Sequence, residues 1–192
     1  MAEPGRQIVA AGRLLVANPL LPDPNFDRTV VLLLACNADG AVGLVLNRPS
    51  ETLVGAPLPR WAALAADPPV VFIGGPVQHQ AVICLARCAH PSLGDRSEAW
   101  KPVTTDIGTL DLEADPDLVG TAFGGVRIFA GYAGWGPGQL EAEMDAGAWW
   151  VIDAEAGDAF CEHPGRLWET VLRRQGNNLV LVSYFPDDIT AN

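Results

Sequence analysis

Residues 131–151, GYAGWGPGQLEAEMDAGAWWV, constrain the chain more than any other stretch. Val126, Ile128 and Phe129 lead into it as a β-prone run. Glycines follow at Gly131, Gly134, Gly136 and Gly138, with Pro137 between the last two. Glycine permits positive φ and close backbone approach. Proline at a first helical position gives up a donor that would lack a partner anyway. The stretch therefore reads as a strand end, a glycine-rich loop, a short helix and a second strand. Gly136 is the expected N-cap and Pro137 the first helical residue. Leu140 and Met144 share one apolar face, and Glu141 sits near the positive end of the helix dipole. Gly147 stops the helix, and Ala148 to Ile152 form a buried strand.

That order invites a dinucleotide site, with Asp153 placed at a strand end to meet a ribose. The spacing does not carry it. A G-x-G-x-x-G pattern opening at Gly134 needs a glycine at position 139, where Gln139 stands. What survives is a weaker expectation, that N–H groups at this helix start hold some anion.

Elsewhere the apolar runs are strand-sized. The longest, Thr29 to Cys36, is far below the ~18 residues a membrane span requires. Arg13 to Ala17 is a short strand, followed by an irregular loop in which Pro19, Pro22 and Pro24 remove donors and favour extended neighbours. Thr29 to Ala35 and Ala41 to Leu46 make a hairpin across the turn Asn37-Ala38-Asp39-Gly40. Asn47-Arg48-Pro49 ends it. Trp61 to Ala66 reads as helical after Pro59, and Val70 to Ile73 as a buried strand running into the turn Gly74-Gly75-Pro76. Ala81 to Ala86 is another strand, and His90 to Lys101 is polar and irregular. Asp115-Pro116 reads as N-cap and first residue of a short helix. Pro164 to Gln175 is a helix with Leu167, Val171 and Leu172 on one face and Gly176 at its end. Leu179 to Tyr184 is expected as a last strand and Asp187 to Asn192 as a frayed tail.

At 192 residues, with no linker or repeat, the chain is expected to be one domain over 1–192, with its core at about 12–185. The amino-terminal residues lack an apolar signal core, so a cytoplasmic protein without a membrane segment is expected. Four cysteines without scaffold spacing fit a reducing compartment. The net charge of −11 argues against a nonspecific binder of nucleic-acid backbones, which needs Lys and Arg against phosphates.

Cys84 and Cys88 with His79 and His90 are loosely spaced for zinc, and Cys84 lies inside an apolar strand, where cysteine behaves as a small hydrophobe. Cys36 ends a strand in the same manner. Cys161 has only His163 as a neighbouring base, and no G-x-S-x-G elbow presents a serine. Asp111, Glu113, Asp115 and Asp117 read as a solvated acidic surface. No catalytic set, metal site or cofactor is assigned. The more interesting polar groups end strands. Asn25 and Arg28 precede one arm of the hairpin and Asn47 and Arg48 follow the other, so all four fall at one end. Arginine there suits a phosphate or carboxylate. The plainer reading has the asparagines satisfying turn backbone and the arginines pairing with Asp27 or Glu51.

These stretches also carry a family resemblance. Leu15-Val16-Ala17-Asn18-Pro19 with Asp23-Pro24-Asn25-Phe26 is similar to the opening of the AlgH/YqgE family of bacterial proteins. Gly43 to Pro49, Gly74 to Val77 and Gly131 to Leu140 resemble it in the same order. The likeness runs from about residue 12 to 175. It implies one compact α/β domain whose mixed sheet is strongly bent and partly barrel-like, with helices packed outside. It also implies a cytoplasmic protein with a regulatory role and no assigned reaction. His79-Gln80 and Tyr184 to Asp188 depart from the pattern.

The expected function is accordingly a non-enzymatic binding or regulatory protein. It would take a small anion or a protein partner on a face comprising Asn25, Arg28, Asn47, Arg48, Gly74, Gly75, Gly134, Trp135, Gly136 and Gly138. The alternatives are an enzyme or sensor for a phosphorylated or nucleotide ligand on that face, and a nucleic-acid-binding regulator, which the charge disfavours.

Overall fold

In the computed structural model, which describes residues 8–89, 98–120 and 122–185, the strand-sized apolar runs assemble into one curled, mostly antiparallel sheet. Its strands are β1 (Arg13–Ala17), β2 (Val30–Asn37), β3 (Gly40–Val45), β4 (Pro49–Leu53), β5 (Val70–Ile73), β6 (Val77–Cys88), β7 (Trp100–Pro102), β8 (Ile107–Leu110), β9 (Phe123–Trp135) and β10 (Trp149–Asp153). The main path is β10-β1-β2-β3-β9-β6-β8-β7. β5 lies parallel to β9, and β4 pairs on β5. The result is a half-barrel in a single compact domain. No helix among the described residues is long and apolar enough to cross a membrane.

Both faces of the central strands are buried, which is why β1 and β2 read as continuous apolar runs rather than alternating ones. Leu14, Val16, Leu32 and Leu44 face the inside of the curl, closed by Leu167, Trp168, Val171 and Leu172 of a helix at Leu167–Arg174. Leu15, Ala17, Val31 and Val45 face the other way, under Leu140 of the helix Gln139–Asp145 and under Leu21 and Phe26 of the loop after β1. A third cluster on the outer side of β6, β8 and β9 is covered by Trp61 from the 3-10 turn Pro59–Leu64. In chain order the α-helices are α1 (Pro116–Val119), α2 (Gln139–Asp145), α3 (Leu167–Arg174) and α4 (Asn177–Val182). Asp115 caps α1 as expected, its side chain accepting from the Asp117 N–H.

Three readings need correction. Gly131 to Trp135 is not loop but the end of β9, which changes partners there. Tyr132 faces Val77 of β6, whereas Ala133 to Trp135 pair with β3. Gly131, at φ 72°, makes that bend, where a Cβ would sit 2.8 Å from the Gly75 carbonyl oxygen. The N-cap of α2 is Gly138 in a left-handed conformation, not Gly136. Leu179 to Tyr184 lies in and just after a helix, α4, not a strand. Leu179 and Val182 pack on the inner core while Leu181 is 73% exposed, a helical spacing that a six-residue run is too short to declare. β4, polar and exposed on the sheet edge, carries no apolar signal and was missed. His90 and Asp187 to Asn192 lie outside the described residues.

Candidate functional site

The hairpin ends do meet, and backbone bonds lock them. Asn47, buried, accepts from the Val30 N–H at 3.0 Å and donates to the Arg28 carbonyl at 2.8 Å. It clamps the two strand ends together. Asn25 uses its own N–H on the Asp23 side chain at 2.9 Å, leaving its amide exposed on a tight turn. Arg28 lies over the Trp168 ring at 5.2 Å and donates to the Phe185 carbonyl at 3.0 Å. Arg48 donates to the Asp27 carbonyl through one terminal nitrogen. So each arginine holds a backbone carbonyl, and among the described residues Arg48 forms no ion pair with Asp27 or Glu51.

Gly74 and Gly75 are fixed by close backbone approach. Gly74 accepts from the Val45 N–H at 2.8 Å and donates to the Ala130 carbonyl at 2.9 Å. A Cβ on Gly75 would fall 2.3 Å from the Tyr132 carbonyl carbon, and its φ is 152°. No side chain fits at either position without moving β9.

These elements enclose a cavity of about 220 Å³ lined by Asn25, Arg48, Gly75 and His79 with Pro24, Val45, Ile73 and Pro76. Its base is rigid, because the Ile73 N–H also donates to the Arg48 carbonyl at 2.8 Å. Among the described residues no carboxylate lines it. On the far side of Arg48 a cleft of about 190 Å³ adjoins Asp27, Arg28, Asn47, Trp168 and Glu169. Three of the ten expected residues thus share the cavity with His79, which β6 reaches by starting four residues before the expected Ala81.

The glycine-rich end does not join them. Ala41 of β3 pairs with Trp135, whereas Asn47 lies beyond the other end of β3. Six residues of strand, about 20 Å at ~3.3 Å each, separate the two. Trp135 is buried, and its indole N–H donates to Glu143 at 2.9 Å, beside that of Trp149 at 2.8 Å. Phe26 packs against both rings. Gly134 faces the Tyr132 ring, and the Gly136 N–H is taken by the Gln139 side chain at 3.1 Å. One of the N–H groups at this short helix start is thus already taken by a side chain within the same turn.

The two non-glycine residues with positive φ, Arg28 at 48° and Gln78 at 45°, both border these openings. Such backbone costs on the order of 1 kcal/mol and concentrates where a structure must aim a neighbouring group. Gln78→Gly is therefore expected to raise the unfolding free energy by up to about 1 kcal/mol in a urea titration. A fall would show that the Gln78 side chain, not the strained backbone, decides this turn.

The other candidates resolve into structure. Burial pushes the Cys84 thiol up to about 12 and raises that of Cys36, the latter aided by the charge of Glu141. Asp111 and Asp115 accept turn and cap N–H groups at 2.9 and 3.0 Å, and Asp115 pairs with Arg60. Asp153 pairs with Arg13 at 2.8 Å. Among the described residues no three His, Cys, Asp or Glu side chains gather as a metal site.

A family model described as AlgH-like matches residues 14–180. A UPF0301 protein of Streptomyces coelicolor is 51% identical over 182 residues, covering 94% of both chains. One from Thermobifida fusca is 47% identical over 190 residues, again with 94% of each covered. Among solved structures, protein DIP2367 of Corynebacterium diphtheriae superposes with a TM-score of 0.89 at 31% identity over 94% of each chain. The AlgH protein of Pseudomonas aeruginosa gives 0.67 at 28% over 98% of each.

Proposed function

The chain belongs to the AlgH-like family, and on that premise we propose that it is a non-enzymatic cytoplasmic binding protein whose ligand is a small oxyanion held at Arg48. One observation carries the proposal. In a chain with 23 acidic and 12 basic residues, this cavity presents an arginine, a histidine and an exposed amide, with no carboxylate in its wall among the described residues. A local positive spot inside a negative field is where an anion gains most by binding. The guanidinium is steered by one bond to a backbone carbonyl, and its other N–H groups have no partner among the described residues. Such a fork matches the planar geometry of carboxylate and phosphate oxygens. His79 and Asn25 add donors from two other segments. None of the four cysteines forms a disulfide, which is consistent with a reducing compartment.

The test is thermal unfolding with inorganic phosphate. At 100 times its dissociation constant a ligand adds about 2.7 kcal/mol, which moves the midpoint by roughly 5–10 °C at the ~2–4 °C per kcal/mol of a chain this size. Arg48→Ala, which gives up one exposed hydrogen bond, is expected to keep the fold and lose this shift. A shift of the same size in Arg48→Ala removes the proposal, as does the absence of any shift with millimolar phosphate. Turnover of a phosphorylated compound abolished by Arg48→Ala would replace a binding protein with an enzyme.

A further inference from the structure

The cavity has two unlike halves, and together they select a ligand class. Arg48, His79 and Asn25 supply the polar half. Facing them are Pro24, Val45, Ile73 and Pro76, all apolar. Ile73 is the telling residue. It ends β5, where its neighbour Phe72 is fully buried, yet it stands 47% exposed at the cavity. Its N–H bond to the Arg48 carbonyl ties the backbones that carry the apolar wall and the cation. A bare inorganic ion would use only the arginine side and leave the isoleucine in water.

Resting on the reading that Arg48 binds an oxyanion, we infer that this pocket takes an oxyanion with a short aliphatic body, its head on Arg48 and His79 and its carbons against Ile73, Pro24 and Pro76. Carboxylate and phosphate heads share this chemistry. The cavity volume, about 220 Å³, limits the body to a few carbons. Chains longer than that leave through the open mouth and gain nothing further.

The experiment is a calorimetric titration of the full chain with inorganic phosphate, then methyl, ethyl, propyl and butyl phosphate, then acetate to valerate, with 1-propanol as the uncharged control. Burial of one methylene contributes a factor of about three to four in affinity. The expected result is that increment over the first two or three carbons, a plateau after them and no binding of propanol. The better of the two series identifies the head group. Ile73→Ser is expected to flatten the dependence on chain length, read within that variant as the ratio of butyl to methyl phosphate affinity, and Arg48→Ala to abolish binding of both series. If phosphate binds through Arg48 but affinity ignores chain length, or Ile73→Ser leaves the dependence intact, the inference falls and the simpler anion site stands. If no oxyanion binds, or alkyl phosphates bind equally well to Arg48→Ala, the anion site itself falls.

Discussion

Arg127→Met is expected to lower the unfolding free energy by about 3–5 kcal/mol in a urea titration, a large share of the ~5–15 kcal/mol a domain possesses. Arg127 lies in the middle of β9 between Val126 and Ile128, and only 2% of it is exposed. Its guanidinium donates to the carbonyls of Ala159 and Cys161, both at 3.1 Å, and to that of Asp67. It lies 4.4 Å from the Phe72 ring centre and 5.9 Å from that of Phe160. Among the described residues no carboxylate forms an ion pair with it. Burial is the main reason its pKa falls to about 10, a pull that the neighbouring Cys161 and Asp67 oppose and Arg87 reinforces.

Two effects therefore compete. Methionine relieves the cost of burying a cation, but it abandons three carbonyl acceptors, the buried one at Ala159 and two part-buried ones at Asp67 and Cys161, where an unsatisfied buried acceptor costs ~1–3 kcal/mol and a part-buried one less. Three carbonyls and two aromatic faces outweigh one moderately depressed cation, so the net change is a loss. The same three bonds tie the loops at Asp67 and at residues 159–161 to the sheet, so Arg127→Lys, a point charge without the planar fork, is expected to recover only part of it. A methionine variant as stable as the parent would mean that the cation's burial cost cancels everything the clip contributes.

Arg127 also marks where the sequence stops being readable. A lone charge inside the run from Val126 to Ala130 was a visible oddity, but whether it is buried depends on carbonyls about thirty to sixty residues away. Local patterns fared better. The β2–β3 hairpin follows from the Asn37–Gly40 turn and the runs beside it, and α3 from the spacing of Leu167, Val171 and Leu172. Glycine misled where it served packing and not a turn: at Gly134, beside the Tyr132 ring, β9 runs straight through. In the site, Arg48 and Asn25 converge because hairpin geometry is local, whereas Gly75 arrives through the backbone bonds of the β5 end to Val45 and Arg48. Gly134 to Gly138 stay apart because antiparallel register puts Trp135 opposite Ala41, at the wrong end of β3. His79 could be found only from the strained turn at Gln78, which leaves no mark in the amino-acid pattern.

A second large loss, also about 3–5 kcal/mol, is expected for Asp158→Ala. Asp158 opens the 3-10 turn Asp158–Phe160 after β10 and is 5% exposed. Its two oxygens accept from the two terminal nitrogens of Arg174 at 2.6 and 2.7 Å, and one also accepts from the Glu155 N–H at 2.7 Å. Arg174 ends α3 and further donates to the Asp153 carbonyl at 2.9 Å. Burial pulls its pKa down, but the hydrogen bonds and charge of Asp158, with Glu155 and Asp153 behind them, more than offset this, and the net shift is upward. The pair thus pins the helix that closes the half-barrel to the edge strand β10. The exposed pair Arg60–Asp115 is as short, 2.7 Å, yet its side chains are 63% and 43% exposed, and such pairs contribute ~0–1 kcal/mol. Comparing Asp158→Ala with Arg60→Ala therefore sets a buried, multiply bonded pair against an exposed single contact of similar length. Asp158→Ala strands a largely buried guanidinium, whereas Asp158→Ala with Arg174→Ala strands nothing, so the double variant should be less destabilised than the two single losses added, by about 1–3 kcal/mol. Strict additivity in urea unfolding would mean that helix and turn are held by their apolar contacts alone, with Leu167, Trp168 and Phe160 keeping α3 in place without the ion pair.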